Sequence, residues 1–89
     1  MDISYTNLRM LRLKAYCYDN DWAVVQHYMF HIALAIDRAD TSYYYLLEYS
    51  DIAEKWYILH DGINKGWLTD KFNQRAAEIQ EDLAGLIDL

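Results

Sequence analysis

The sequence has no proline, only three glycines and a single cysteine. Proline and glycine mark turns and linkers, so their scarcity predicts one domain over residues 1–89, without linkers or repeats. The lone Cys17 excludes an intramolecular disulfide framework and a zinc site of four cysteines. Because disulfides are rare in reducing compartments, we expect a cytoplasmic protein.

Long hydrophobic runs are also lacking. Residues 1–16 contain two arginines and a lysine where a signal peptide needs an apolar core. The longest apolar stretch, residues 22–36, is interrupted by Gln26, His27 and His31 and is too short to cross a bilayer. We therefore expect no membrane partner.

Negative charge is present in excess, and it is placed unevenly. The formal net charge is −6; residues 1–39 hold four acids and four bases, whereas residues 40–89 hold ten acids and four bases. Such a surface repels phosphate backbones, so direct binding to nucleic acid is not expected. It attracts a basic protein instead, for example a nucleic-acid-binding protein or a nuclease.

Four segments show apolar residues spaced three and four apart, the spacing typical of a helix. They are residues 6–18, 21–39, 42–65 and a segment that starts at Thr69 with Gly66 as the preceding helix stop. The predicted apolar seam of the first helix contains Leu8, Leu11, Ala15 and Tyr18. That of the last contains Phe72, Ala76, Ile79, Leu83 and Leu86.

Short connections between these segments imply that successive helices run antiparallel. No segment keeps the two-residue alternation between turn residues that indicates a strand. The sequence therefore predicts an all-α fold, a compact antiparallel bundle of four helices.

Two histidines, His27 and His31, are four residues apart, a spacing that brings two metal ligands together on a helix. With Glu54 from the next helix they form an alternative metal site. A polar strip on an otherwise apolar helix needs fewer coincidences, because the imidazoles then bond to carboxylates or water. We favour the polar strip and expect neither a metal nor a cofactor.

Tyrosine is unusually frequent, with nine residues in the chain. The segment 41–51 places tyrosines beside acids, which suits an arginine-rich partner surface through ion pairs and cation–π contacts. Large rings that simply fill space are the competing explanation. The predicted partner-binding set combines this segment with the acids that follow it: Tyr43, Tyr44, Glu48, Asp51, Glu54, Glu78, Glu81 and Asp82.

The sequence gives little support to nucleophilic catalysis. Cys17 has aromatic and acidic neighbours that disfavour a thiolate, and Ser50 has no evident histidine partner. We expect a non-enzymatic acidic protein that inhibits or regulates a basic partner, as a mimic of nucleic acid or an immunity or anti-defence inhibitor of a phage or plasmid does. An obligate homo-oligomer, such as a structural or adaptor dimer, is the alternative.

Overall fold

The computed structural model describes the backbone of residues 5–87 and the side chains of residues 8–85. In chain order the elements are α1 (Tyr5–Asn20), β1 (Trp22–Tyr28), β2 (Ile32–Asp37), β3 (Tyr44–Ser50), β4 (Lys55–Gly62) and α2 (Lys65–Ile87). The strands form one antiparallel sheet in the order β1-β2-β3-β4. The fold is therefore α+β, and the prediction of an all-α four-helix bundle is wrong.

Each face of the sheet is covered by one helix. Successive strand residues point to opposite faces, so the neighbours Leu46 and Leu47 belong to different layers. Leu47 packs in the cluster that contains Leu13 and Cys17 of α1. Leu46 packs in the cluster that contains α2 residues, namely Leu68, Phe72 and Ile79. The sheet is thus the middle layer of three.

Burial on both faces explains why β2 resembled part of a helix. Four consecutive residues of β2, from Ile32 to Ala35, are 0% exposed. A strand covered on both faces is apolar at every position, so the two-residue alternation disappears. Such a run cannot be distinguished from a buried helix by periodicity. The segments 21–39 and 42–65, predicted as two helices, are instead two hairpins of the sheet.

The hairpin turns also contain no glycine, the residue by which tight turns are usually recognised in a sequence. In the β1–β2 turn, Met29 and Phe30 both have positive φ, 50° and 54°, and the amide of His31 donates to the carbonyl of Tyr28 at 3.0 Å. Tight hairpin turns of this kind usually use asparagine and glycine. Phe30 tolerates the conformation because its ring packs on the α1 side of the core and stacks on His27 at 4.2 Å.

Helices at both ends of the chain are confirmed, with corrections. On α1 the buried residues are Leu13 and Cys17, whereas Leu11 is 49% and Tyr18 is 85% exposed, so the predicted seam is largely on the wrong face. On α2 the seam is right for Phe72, Ala76, Ile79 and Leu83; Leu86 lies outside the described side chains.

The start of α2 also differs from the prediction. The helix begins at Lys65, so Gly66 is its second residue and not a stop before it. Asn64 caps it, since its side-chain oxygen accepts the amide of Trp67 at 3.0 Å. Thr69, predicted as the start of this helix, is inside it.

Both edge strands are irregular. The pairing of β1 with β2 shifts between Val24 and Gln26, and β4 has an extra residue, Leu59, where the pairing with β3 shifts. Bulges of this kind disfavour edge-to-edge association. On the α1 side, the indole of Trp56 donates to the carbonyl of Arg9 at 2.9 Å and anchors α1 to β4.

We expect Leu34→Ala to lower the free energy of unfolding by about 2–5 kcal/mol, because Leu34 is 0% exposed and truncation leaves a cavity between β2 and α2. Ile63→Ala, at a residue 73% exposed, should change it by less than about 0.5 kcal/mol. Urea unfolding followed by circular dichroism measures both. Equal effects would contradict the placement of β2 at the centre.

Candidate functional site

An acidic pocket lies between the end of β3 and the C-terminal half of α2. Its cavity has a volume of about 220 Å³. The side of the pocket formed by the sheet and its turns is polar. The side formed by α2 has both apolar and charged residues. The lining residues are His31, Glu48, Tyr49, Asp51, Arg75, Ile79, Asp82 and Leu83.

Glu48 is the most enclosed acid of this pocket, with a side chain 13% exposed. It accepts hydrogen bonds from Arg75 of α2 and from the Tyr57 hydroxyl of the neighbouring strand. The bond from Tyr57 to the carboxylate, together with burial and the negative charge of Glu48, raises the pKa of Tyr57. The bond to Glu48 also raises the pKa of Arg75. Arg75 therefore stays charged and ties α2 to the sheet.

Arg75 also donates to Glu78 at 2.8 Å, one turn further along α2. This guanidinium is thus shared between two acids of the predicted partner-binding set. Asp82, the next acid on this side of the helix, is exposed and bonds to none of the side chains described. Its carboxylate is available to a ligand.

A second guanidinium reaches the pocket region from α1. Arg9 donates to Asp51 at 2.7 Å and lies 3.1 Å from Nε2 of His31. Because a guanidinium only donates, Nε2 is the acceptor and the imidazole proton sits on Nδ1. Burial and the Arg9 cation lower the pKa of His31, an effect that Asp51 and Glu48 partly offset. The imidazole is therefore neutral at pH 7.

The charges of this region sum to a negative value. Four carboxylates, on Glu48, Asp51, Glu78 and Asp82, and two guanidinium groups, on Arg9 and Arg75, leave a net charge of −2 around a neutral imidazole. Beside them, Ile79 and Leu83 form an apolar wall. The pocket can therefore receive a cation that carries an aliphatic stem.

The predicted partner-binding residues are only partly brought together. Glu48, Asp51 and Asp82 line the pocket, Glu78 bonds to Arg75, and Glu81 is exposed beside Asp82. Tyr43 precedes β3 and Tyr44 begins it, at the end opposite the pocket. Tyr43 packs beside Tyr45 of the α1-side cluster, and Tyr44 packs against the α2-side cluster. Lys65 is placed over the Tyr44 ring at 5.7 Å. Glu54 is the last residue of the β3–β4 turn and lines a separate groove.

The metal alternative loses its geometric basis. His27 is an exposed residue of β1 that stacks on Phe30, whereas His31 bonds to Arg9, so a shared helical face does not exist. Within residues 8–85, no three side chains of histidine, cysteine, aspartate or glutamate are grouped to hold a metal ion. Cys17 is buried, and burial raises the pKa of its thiol to about 11.

Sequence reasoning missed Arg9, Tyr57 and the contact of Arg75 with Glu48. That Arg75 partly neutralises the acids of its own helix follows from helical spacing, and the Arg75–Glu78 pair at i, i+3 agrees with it. Arg9 and Asp51 are 42 positions apart, and no local pattern joins them. The helices of the structure as described include none long and apolar enough to cross a bilayer.

We expect acid to destabilise the protein through His31. The pKa of His31 in the folded chain is below its usual 6.5, so the unfolded chain takes up the proton first. The stability that depends on the neutral imidazole is complete above about pH 6.5 and is lost as the pH falls through the folded-state value. Urea unfolding measured from pH 8 to pH 5 should show that the free energy of unfolding decreases less for His31→Gln than for the natural protein. Parallel pH profiles would show that His31 is not the group responsible.

Comparison with known proteins identifies no relative: no family model, no curated protein and no solved structure matches the chain.

Proposed function

We propose that this protein is a non-enzymatic binding protein that recognises a basic protein partner through the acidic pocket. An arginine or lysine side chain of the partner enters between the carboxylates and the apolar wall. Binding inhibits or regulates the partner by covering a surface that otherwise contacts nucleic acid. We place this activity in the cytoplasm, where the single cysteine, Cys17, faces no oxidative pairing.

The observation that carries the proposal is the combination of excess carboxylates with an aliphatic wall. Asp82 and Asp51 are exposed at the pocket and can meet a cationic head group. Ile79 and Leu83 can pack against the methylene stem of a long basic side chain. A neutral or acidic side chain gains only one of these two contacts.

Exposed acids around the pocket add long-range attraction. Glu81 adjoins Asp82 on α2 and is exposed. Charges at the rim of an interface mainly raise the association rate and its dependence on salt. Tyr43 and Tyr44 are left out of this contact surface, because they lie at the far end of β3.

The homo-oligomer alternative keeps only part of its basis. In a helix, the apolar excess of residues 22–36 would need a second chain to cover it. Ile32 to Ala35 are instead 0% exposed and covered by the chain's own helices, whereas Val24, Val25 and Met29 remain 39%, 44% and 51% exposed. Because the most apolar part of the stretch is already covered, we prefer the binding function.

A hexa-arginine peptide labelled with fluorescein should bind at about 150 mM salt, and hexa-citrulline, its uncharged analogue, should not. Glu81→Lys with Asp82→Lys should weaken the affinity about tenfold, or ~1.4 kcal/mol, since two attractions at the pocket become repulsions. Fluorescence anisotropy gives the affinity. Amide shifts in NMR spectra give the location, which should include His31, Asp51 and Leu83.

The matched control is Asp19→Lys with Asp70→Lys, which changes the net charge equally at two exposed residues outside the pocket. It should weaken binding less than about threefold, because distant exposed charges are screened. Equal losses in the two double variants, or equal binding of citrulline and arginine peptides, would rule out recognition by the acidic pocket.

A further inference from the structure

Among the strands that the structure describes, none lies beyond the outer edge of β4. The sheet order places β4 at one end, where β3 pairs with one side of its backbone only. Among the residues that the structure describes, no backbone group outside the sheet bonds to positions 55–58. A free strand edge offers a row of donors and acceptors that an extended chain can pair with.

A groove runs along this edge, between α1 and β4, with a volume of about 560 Å³. From β4 and the preceding turn it is lined by five consecutive residues, 54–58. Consecutive strand residues point to opposite faces, so a cavity that touches all of them follows the backbone edge. From α1 it is lined by Arg12, Ala15 and Tyr16.

The groove provides contacts for apolar side chains. Ala15, Tyr16, Trp56 and Ile58 contribute to its walls, and Ile58 is 41% exposed. Trp56 is only 4% exposed and its indole nitrogen is bonded to Arg9, so its ring belongs to the floor of the groove. A groove between a helix and an open strand edge is the arrangement by which domains bind a peptide as an added strand.

The charges of the groove favour an acidic occupant. Arg12 and Lys55 line it together with one acid, Glu54. Neither cation forms an ion pair with a side chain among residues 8–85; Arg12 donates to the hydroxyl of Tyr49. This local surface is basic on a protein whose net charge is −6.

Two other pairings fit less well, namely an added strand at the β1 edge and a second copy of the chain at the β4 edge. The β1 edge has its bulge in the middle of the strand, between Val24 and Gln26, whereas the bulge of β4 at Leu59 leaves Lys55–Ile58 regular. A second copy that paired through the same edge would bring the Arg12 and Lys55 cations of both copies together. Like charges across a strand pair are destabilising.

We propose that the groove between α1 and β4 binds an extended, acidic segment of a partner protein, which adds to Lys55–Ile58 as a fifth strand. Its backbone pairs with the free edge, its apolar side chains contact Ala15 and Ile58, and its carboxylates meet Arg12 and Lys55. The site is separate from the acidic pocket and takes a ligand of opposite charge. Since the regular part of β4 is the four residues Lys55–Ile58, the part of the partner segment that pairs with it is also about four residues long.

A random octapeptide library displayed on phage tests this assignment with the full-length protein. Selected sequences should combine aspartate or glutamate with alternating apolar residues. A synthetic copy of the strongest binder should slow hydrogen exchange at those amides of residues 55–58 that point away from β3. N-methylation of alternate peptide amides should reduce its affinity at least about tenfold, because it removes the donors of the added strand.

Two pairs of variants locate the site on the protein. Ala15→Trp fills the groove and should weaken the peptide at least about tenfold, whereas Ala77→Trp, at an exposed alanine of α2, should not. Lys55→Glu should weaken it more than Lys14→Glu, an equal charge change at an exposed residue of α1 that does not line the groove. Urea unfolding confirms that each variant is folded.

The assignment is overturned if no sequence is enriched, if basic sequences are enriched, or if the peptide binds equally well to Ala15→Trp and Ala77→Trp. Binding of hexa-arginine to Ala15→Trp separates the two proposals. Retained hexa-arginine binding with lost peptide binding supports both sites. Loss of both ligands would contradict separate sites.

Discussion

The burial of β2 on both faces is the constraint from which the rest of the structure follows. Ala33 and Ala35 lie under α1, and Ile32 and Leu34 lie under α2, all at 0% exposure. An isolated sheet would expose both of these faces to water, so a helix is required on each. The two-sided cover also decides where binding surfaces can form, since they arise where a helix leaves part of the sheet open.

Each helix leaves a different opening. On one side α2 leaves the pocket at the end of β3, where Arg75 and Arg9 neutralise part of the acidic set and Asp82 remains without a partner among the described side chains. On the other side α1 leaves the groove along β4, with Arg12 and Lys55 at its rim. The net charge of −6 therefore conceals two local surfaces of opposite sign.

The helices at the chain ends could be predicted because each has one water-facing side, and on α2 the spacing of Phe72, Ala76 and Ile79 identifies the buried side. The hairpins could not be predicted from periodicity, because two-sided burial removes the alternation from β2, and β1 places the exposed Val24 and Val25 in succession. Their turns use Met29, Phe30 and Glu54 at positive φ, which carry no turn signal. Enrichment in β-branched and aromatic residues, as in Trp22–Tyr28, was the available indication of a strand. At the site, the acids were predicted, but the arginines that partner them across the sheet were not.

Methyl NOE spectroscopy at Leu46 and Leu47 tests the layered arrangement most directly. These neighbours have no exposed surface and belong to different clusters. The account predicts that Leu47 methyls show contacts to Leu13 of α1, and that Leu46 methyls show contacts to Leu68 and Phe72 of α2. Contacts from both leucines to the same helix would contradict it.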